Sequence, residues 1–462
     1  MSASRAAHIV VDLGFGDAGK GTLTDWLTRR HDARLVVRFN GGAQAGHNVV
    51  TEDGRHHTFS QFGAGTFVPD VWTHLAHSTV FHPLALRVEA RYLAERGVPD
   101  ALSRVTVSER ARVITPFHQA AGRLRELARG AARHGTCGVG VGETVRDALA
   151  HPQDTVLAGD LRDAGGLVRK ARAAQERLRT ELAEVLRVTE GLVDAAPERA
   201  MLEDSGVSAR WAEAVGTIEP LERVVVDEWL GRRLRAGTTL FEGAQGVLLD
   251  EWRGFHPHTT WSTCTFEPAL ALLREHGFEG EVHRLGVLRA YATRHGEGPL
   301  PTEDASLAPS LPEPHNVADG WQGGFRVGAF DAVLGRYALD VCGGVDALAV
   351  THLDRLTSRW PVCDAYRAAL GRHGSDEPLV REAPGAERIT ALRPSRSERD
   401  LDWQARLTQA LSRCMPEPRT LELGEDPEVR VERFLGWVEA ALGARVTVAS
   451  RGPTAGDKQP RG

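Results

Sequence analysis

Lysine is nearly missing from this sequence. Of the 56 basic residues only Lys20, Lys170 and Lys458 are lysine, which leaves 53 arginines (56 − 3). A basic surplus is missing as well, since the net charge is −6, and this argues against a nucleic-acid-binding protein. Because arginine is the default cation of the chain, a lysine at a chemically special position is more informative than usual.

Cysteine and long apolar runs are also scarce. The five cysteines have no CxxC spacing, which argues against a zinc site and against a full disulfide framework. No stretch approaches the roughly 18 consecutive apolar residues that a membrane-spanning helix needs. The first residues contain no long apolar segment followed by a cleavage site. We therefore expect a cytoplasmic protein that binds neither nucleic acid nor a membrane.

The order of the apolar segments predicts an α/β fold. Strand-like runs alternate with Gly-rich turns and helical segments, which is typical of a large, mostly parallel twisted sheet flanked by helices. The strand candidates are 8–13, 35–39, 239–242, 285–290, 347–351 and 446–450. An amphipathic helix is expected over 161–188 and a long loop over 304–324. Since there is no repeat and no clear linker, we predict one domain over residues 1–452 and a flexible C-terminal tail over 453–462.

The clearest motif is a phosphate loop over residues 14–21, between the first strand and the first helix. Two glycines five residues apart precede Lys20. In such a loop, backbone N–H groups and the helix N-terminus bind phosphates, and the lysine adds a compact positive charge. The serine or threonine that usually follows the lysine and holds magnesium is Gly21 here. We therefore expect Asp17, inside the loop, to be a metal ligand.

Two weaker signals accompany this loop. Asp354 follows an apolar strand, and a carboxylate there can accept both N1–H and N2–H of guanine, although a strand-ending aspartate is more often a cap or turn residue. His47 ends a Gly-rich segment over 40–47. A lone histidine is more often structural, but beside a phosphate loop it can stabilise transferring charge.

Together these segments resemble the adenylosuccinate synthetase family. The similarity rests on Gly16-Asp17, Gly19-Lys20-Gly21 and the segments 38–42 and 45–47. It continues in the same order through 135–138, 241–250, 289–294, 298–303, 351–354 and 450–453, so that it covers residues 8 to about 453.

The resemblance implies a P-loop-like, GTP-binding ligase that forms a C–N bond, with Mg2+ as cofactor and GTP as co-substrate. It implies that O6 of IMP, or of a related 6-oxopurine nucleotide, is phosphorylated and that an amine then displaces the phosphate. It also implies a homodimer that shares active sites.

The resemblance assigns roles to residues of this chain. The catalytic positions are Asp17 as base, His47 as stabiliser of the phosphoryl transfer, Lys20 and Gln245. Magnesium is held by Asp17 and the carbonyl of Gly46. The GTP-binding positions are Gly16, Gly19, Lys20, Gly21, His352, Asp354, Ser450 and Gly452. The IMP-binding positions are Asp17, Gln44, Thr136, Cys137, His151, Gln245, Leu249 and Thr260.

Departures from the family pattern concentrate where its members bind aspartate. The corresponding loop carries Trp321, Gly323, Phe325 and Arg326, so the two clamping arginines of the family become Gly323 and Phe325, and a third becomes Val139. Each lost charge-assisted hydrogen bond costs about 1.5–3 kcal/mol. The sequence therefore predicts an amine substrate other than aspartate, for example an amino sugar or a neutral amine.

Two alternatives stay open. One is a true adenylosuccinate synthetase that uses aspartate, and the other is a non-catalytic, GTP-binding regulatory homologue. Retention of Asp17 and His47 argues against the second. Two further departures are His352, in place of a guanine-packing lysine, and His151, in place of a phosphate-binding arginine of the partner subunit. Arg146 is a candidate replacement for that arginine.

Overall fold

The computed structural model describes residues 5–130, 135–217, 223–313, 323–368 and 376–462. Its strands are Ala6–Asp12 (β1), Leu35–Arg38 (β2), His47–Val50 (β3), His56–Phe59 (β4), Trp72–Leu75 (β5), Val80–Phe81 (β6), Val105–Ser108 (β7), Arg112–Val113 (β8), Val224–Val225 (β9), Thr239–Glu242 (β10), Glu281–Arg289 (β11), Ala292–His295 (β12), Phe325–Gly328 (β13), Phe330–Asp331 (β14), Ala347–Thr351 (β15), Arg359–Arg367 (β16), Leu379–Arg381 (β17), Arg388–Leu392 (β18), Met415–Glu422 (β19), Val446–Ser450 (β20) and Lys458–Pro460 (β21).

The α-helices flank these strands. They are Lys20–Arg30 (α1), Pro83–Glu95 (α2), Pro116–Arg129 (α3), Val141–Ala150 (α4), Ala164–Glu181 (α5), Ala183–Val188 (α6), Ala196–Glu203 (α7), Val207–Gly216 (α8), Glu228–Leu234 (α9), Glu267–Glu275 (α10), Ala332–Val341 (α11), Leu401–Leu411 (α12) and Pro427–Leu442 (α13). Among the described residues, no helix has the length and apolar character needed to cross a membrane.

The main sheet has ten strands in the order β21-β20-β15-β11-β1-β10-β2-β5-β7-β9. All neighbours pair in parallel except β20 and β21, which are antiparallel. Its central strand β1 reads AAHIVVD and is buried along nearly its whole length. A near-continuous apolar run of this kind is what a parallel sheet covered on both faces requires. The α/β fold with a large, mostly parallel sheet flanked by helices is thus confirmed.

A second sheet lies beside the main one and is mostly antiparallel. Its strand order is β14-β16-β18-β17, with β19 also paired to β16. A separate hairpin, β12–β13, places Phe325 opposite His295 and Arg326 opposite Arg294. This hairpin brings the described end of the predicted amine-substrate loop next to the strand that follows β11.

The parallel topology gathers the predicted motifs at one edge of the main sheet. The loops after β1, β2, β10, β15 and β20 carry the phosphate loop, the segment 40–46, the segment 243–245, Asp354 and Gly452. These strands and β11 are consecutive neighbours in the sheet. Ligands of open α/β sheets bind outside the carboxyl ends of the strands. The fold therefore positions one extended site across six adjacent strand ends.

The C-terminal residues differ from their prediction as a flexible tail. Residues 458–460 form β21, which pairs with β20, and Lys458 is only 5% exposed. The predicted helix over 161–188 is also divided, because α5 ends at Glu181 and α6 starts at Ala183. Of the expected loop over 304–324, residues 305–310 form a 3-10 helix, and residues 314–322 lie outside the described part of the chain.

Three histidine rings stack at the opposite, amino-terminal edge of the sheet. His8 lies 4.1 Å from His31 and 4.6 Å from His283, measured between ring centroids. Burial lowers the pKa of His8 to about 3, and His31 and His283 add to the effect because neighbouring cations disfavour its charged form. The stack is therefore stable only while its central ring is neutral.

We expect this stack to make the protein sensitive to mild acid. The folded-state pKa of His8 lies below its ordinary value of 6.5, so the unfolded chain binds more protons as the pH falls below 6.5. The stabilisation is fully present above pH 6.5 and is lost as the pH falls towards 3, by about 2 kcal/mol at pH 5. Urea unfolding at pH 7 and pH 5 measures the total loss, and His8→Phe should reduce it by about 2 kcal/mol, because other buried histidines such as His47 and His74 keep their own contributions.

The control for this measurement is His151→Asn, because His151 is exposed. That variant should lose as much stability between pH 7 and pH 5 as the unmodified chain. An equal loss in His8→Phe would show that the stacked ring does not cause the acid sensitivity.

Candidate active site

The phosphate loop is organised around a buried aspartate that ends β1. Asp12 accepts hydrogen bonds from the backbone N–H groups of Gly14 and Ala18, both at 2.7 Å, and from Lys20 Nζ at 3.1 Å. The lysine also donates to the Gly16 carbonyl at 2.5 Å. The side chains of Lys20 and Asp12 are 1% and 0% exposed. The loop is therefore held in shape before any nucleotide binds.

Gly21 has a packing reason for replacing the usual hydroxyl residue. A Cβ atom at this position would lie 2.8 Å from the Cβ of His47 and 3.0 Å from the Asn48 carbonyl oxygen. The first turn of α1 thus packs directly against the start of β3. The same close contact brings His47 beside the phosphate loop.

Asp17 lies at the mouth of this loop, with a side chain that is 28% exposed. Its Oδ2 is 3.7 Å from His295 Nε2. Burial raises the pKa of Asp17, while His295, Arg289 and Lys20 oppose the shift as nearby positive groups. A carboxylate whose basicity is raised in this way suits a general base.

His47 forms a buried pair with Glu242, the last residue of β10. His47 Nδ1 lies 2.7 Å from Glu242 Oε1, and Glu242 Oε2 accepts a hydrogen bond from Ala64 N at 2.9 Å. Burial lowers the pKa of His47 to about 4, although Glu242 opposes it. Burial also acts to raise the pKa of Glu242, but His47 and Arg38 outweigh it and the net shift is downward. Glu242 is therefore an ionised acceptor that fixes the orientation of the imidazole.

The loops after β2 and β10 are joined by one side chain. Asn40 donates to the Ala244 carbonyl at 3.1 Å and accepts from Ala244 N at 2.7 Å. The next residue, Gln245, has a left-handed backbone with φ of 57°. Gln245 Nε2 and Gln44 Oε1 are buried and have no hydrogen-bond partner among the described residues. Such atoms need a ligand or water to satisfy them.

A cavity of about 550 Å³ opens at this point. Its lining brings together six of the predicted IMP-binding residues, which are Gln44, Thr136, Cys137, Gln245, Leu249 and Thr260. Asp17 instead lines a neighbouring cavity of about 50 Å³ with Arg289 and Tyr291. His295 lines the large cavity and contacts Asp17, so it lies between the candidate base and the candidate nucleotide site.

The predicted guanine site lies at the ends of β15 and β20. Asp354 is partly exposed, and its Oδ2 is 3.2 Å from Arg355 Nε. Thr351 donates to the Ala18 carbonyl at 2.8 Å, which ties β15 to the phosphate loop. His352 packs edge-to-face on Tyr291 with 5.8 Å between ring centroids, and burial lowers its pKa well below the ordinary value. His352 is thus a neutral, packed side chain and not a cationic substitute for lysine.

The described residues of the amine-substrate loop do not form a carboxylate clamp. Phe325 packs edge-to-face on His295 with 4.7 Å between ring centroids. Arg326 donates to the carbonyls of Gly296 at 2.6 Å and Gly298 at 2.8 Å, and to Glu303 at 2.8 Å. Gly323 precedes β13, and Trp321 lies outside the described part of the chain. Arg326 therefore holds the hairpin together.

Four arginines line the large cavity among the described residues, and each is already bound within the chain. Arg125 and Arg146 pair with Glu143 and Glu181, Arg129 pairs with Glu126, and Arg294 donates to the carbonyls of His258, Glu297 and Pro299. Arg146 is therefore paired with carboxylates, which argues against it as the replacement for the phosphate-binding arginine of the family.

Val139, at the third lost arginine position, packs against an apolar cluster. His151 is exposed at the end of α4, outside the cavity lining.

The donor set around the phosphate loop fits magnesium. No three His, Cys, Asp or Glu side chains converge as a metal site within the described ranges. Mg2+, however, is commonly held by only one or two protein oxygens together with substrate phosphates. The partly exposed carboxylate of Asp17 and the exposed residue Gly46 supply oxygens of the right kind.

Sequence reasoning missed three residues of this site. Asp12 ends an apolar strand, a position where an aspartate gives no indication of function. Glu242 lies inside a segment that matches the family, but no role was assigned to it. His295 shows no local pattern at all. Only Glu242 had a usable signal, because a carboxylate that follows three residues of a buried strand needs a buried partner.

The chain is similar to known proteins over nearly its whole length. The family model described as adenylosuccinate synthetase matches residues 9–458. The adenylosuccinate synthetase of Nitrosomonas eutropha is 31% identical over 399 residues, which cover 83% of this chain and 88% of that protein. The fully ligated adenylosuccinate synthetase from Plasmodium falciparum has a TM-score of 0.77 at 18% identity and covers 98% of this chain and 99% of that one. The succinoaminodeoxyadenylate synthetase of cyanophage S-2L, solved with dGMP and dATP, has a TM-score of 0.57 at 19% identity and covers 99% of this chain and 95% of that one.

Proposed function

The chain belongs to the adenylosuccinate synthetase family of GTP-dependent C–N ligases, and from that premise we propose that it joins an amine other than aspartate to a 6-oxopurine nucleotide. IMP is the proposed nucleotide. In this reaction O6 of the base first attacks the γ-phosphate of GTP, and the amine then displaces the phosphate from C6.

The geometry around Asp17 supports the first step. Asp17 is the proposed base that removes N1–H of the nucleotide, which makes O6 a better nucleophile. Lys20 supplies positive charge beside the transferring phosphoryl group. His47 is oriented by Glu242 at 2.7 Å, so that its Nε2 is free to face the phosphates. Bound phosphates would favour a second proton on this ring, because an adjacent negative charge stabilises imidazolium.

Magnesium would be held by Asp17 and the Gly46 carbonyl together with the phosphates. When bound, it supplies charge neutralisation for the phosphoryl oxygens.

The observation that supports an amine other than aspartate is that the arginines lining the cavity are already bound within the chain. All four are bound to glutamates or backbone carbonyls of the chain itself. In addition, residues 295–325 contain neither arginine nor lysine, and Arg326, the one arginine among the residues assigned to the amine-substrate loop, is bound to Glu303 and to the carbonyls of Gly296 and Gly298. A dicarboxylate brought into this cavity would find every arginine that lines it, within the part of the chain that the structure describes, already bound to a group of the chain itself. Desolvation without a paired charge is strongly unfavourable.

Other features of the cavity favour a hydroxylated, neutral or cationic amine. Glu251 and Glu297 line it, and so do the indoles of Trp252 and Trp261, the latter 46% exposed. Aromatic faces bind the apolar faces of sugar rings and attract cations, while carboxylates accept hydrogen bonds from hydroxyl or ammonium groups. An amino sugar meets all of these requirements.

GDP release tests this proposal. We incubate the protein with Mg2+, GTP, IMP and one amine at a time, drawn from aspartate, amino sugars, amino alcohols and diamines. The preferred amine should give a GDP release rate at least tenfold above that with aspartate at equal concentration. A second series with dGMP in place of IMP tests the nucleotide, because the cyanophage relative was solved with dGMP.

The result separates the alternatives. A response to aspartate alone would contradict the altered amine and identify a true adenylosuccinate synthetase. No GDP release with any amine would favour the non-catalytic regulatory homologue. The Asp17→Asn variant measured in parallel provides the background rate.

The homodimer is also a proposal. His151 lies outside the cavity of its own chain, so it would meet a nucleotide only across a subunit interface. Sedimentation equilibrium with and without GDP and IMP measures this association.

A further inference from the structure

Lys458 is a buried cation that none of the family motifs includes. It is 5% exposed, and it is one of only three lysines in the chain. Its ammonium donates to the carbonyls of Gly452 at 2.9 Å and Thr454 at 2.6 Å, and to the hydroxyl of Thr22. All three ammonium hydrogens are therefore used, and none of them is bound by a carboxylate.

The partners of Lys458 come from two different parts of the site. Gly452 and Thr454 belong to the loop after β20, and Gly452 is one of the predicted guanine-binding residues. Thr22 lies in the first turn of α1, directly after the phosphate loop, and its hydroxyl also donates to the Pro453 carbonyl at 2.6 Å. Lys458 and Thr22 together thus form a bridge between the guanine loop and the phosphate-loop helix.

The ammonium group of Lys458 is charged, yet it is buried away from water. Burial lowers the pKa of Lys458 to about 8, while Asp457, Asp25 and Asp354 oppose the shift. A lysine placed only for packing would keep its ammonium in water, because long basic side chains normally bury the stem and expose the charge. Here the charge itself is buried, and an apolar residue would avoid that cost. The position of the ammonium therefore points to a positioning role.

We propose that Lys458 is a positioning residue of the guanine site, whose ammonium fixes the loop 450–454 at a set distance from the phosphate loop. GTP must bind both loops at once, so a bridge between them pre-organises the nucleotide site and reduces the ordering cost of binding. The inference rests on the proposed GTP site and is independent of the amine.

Calorimetric titration with Mg2+ and GDP tests this role, because it needs no amine. Lys458→Met should raise the Kd for GDP about tenfold and leave the Kd for IMP within twofold. It should also reduce the preference for GDP over IDP, since IDP lacks the 2-amino group that Asp354 is expected to bind. A purely structural loss would weaken GDP and IMP binding together.

Two further variants complete the test. Thr22→Val removes the other half of the bridge and should weaken GDP binding in the same selective way, even if Lys458→Met fails to fold. The double variant should bind GDP no more weakly than Lys458→Met, because both changes break one bridge. The matched control is Lys170→Met, since the ammonium of Lys170 binds the Thr155 carbonyl at 3.1 Å and Asp160 at 2.7 Å, in another part of the chain.

The outcomes are distinct. Unchanged GDP affinity in Lys458→Met and Thr22→Val would overturn the positioning role alone. If the unmodified protein binds no GDP, both the proposed GTP site and the role of Lys458 are wrong. Equal weakening by Lys170→Met would also overturn the inference.

Discussion

Replacing Asp17 by asparagine is expected to lower GDP release at least a thousandfold and to leave the Kd for GDP, measured without Mg2+, within threefold. General-base catalysis contributes about 10²–10⁴-fold to a rate, and the amide of asparagine cannot accept the N1 proton. GDP binding should persist because Lys20 and the backbone N–H groups of the phosphate loop do not depend on Asp17. Asp12 organises that loop from its own position at the end of β1.

Positional isotope exchange gives a sharper measurement of the same step. If O6 is phosphorylated reversibly, oxygen-18 in the β,γ-bridge of GTP should scramble in the presence of IMP, without any amine. Asp17→Asn should stop this scrambling, whereas Asp163→Asn should not, because Asp163 is 69% exposed at the start of α5. Scrambling at the normal rate in Asp17→Asn would remove Asp17 from the role of base.

Lys20→Met is expected to lower the free energy of unfolding by about 3 kcal/mol, because it leaves the buried carboxylate of Asp12 without its charged partner. The three backbone N–H groups that remain on Asp12 keep the loss near the low end of the range for broken buried ion pairs. GDP release should also fall at least a hundredfold, since preorganised charge beside the reacting group typically contributes about 10²–10³-fold.

The double variant Asp12→Asn/Lys20→Met separates these two effects. Removing both charges should restore most of the lost stability, measured by urea unfolding, but none of the lost turnover. A double variant as unstable as Lys20→Met would show that the ion pair does not account for the loss. Recovery of turnover would show that Lys20 has no role beyond its pairing with Asp12.

Much of the fold could be predicted because its strands are apolar runs with clear ends. The segments 239–242, 347–351 and 446–450 match β10, β15 and β20 residue for residue. Once these strands are known to be parallel, the motifs after them must meet at one edge. The candidate site was therefore predictable as a set of loops.

The side-chain partners within the site could not be predicted in the same way. The role of Asp12 depends on how the loop folds back over it, and the binding of Arg146 and Arg294 to their partners depends on tertiary packing. Strand β21 carries no apolar pattern, since it reads Lys-Gln-Pro. It forms because β20 offers backbone partners and Lys458 finds three oxygen acceptors. Which groups form these hydrogen bonds and ion pairs depends on the tertiary structure of the chain.

The two outermost strands of the main sheet are short. On one side β21 has three residues, and on the other β9 has two. An open strand edge is a template for pairing with another chain, and proteins protect such edges by making them short or by placing proline and charge there. β21 does both, with Lys458 at its start and Pro460 at its end. Two copies of this chain would therefore have little edge backbone with which to extend the sheet from one molecule into the next, so any association between them would use helices and loops.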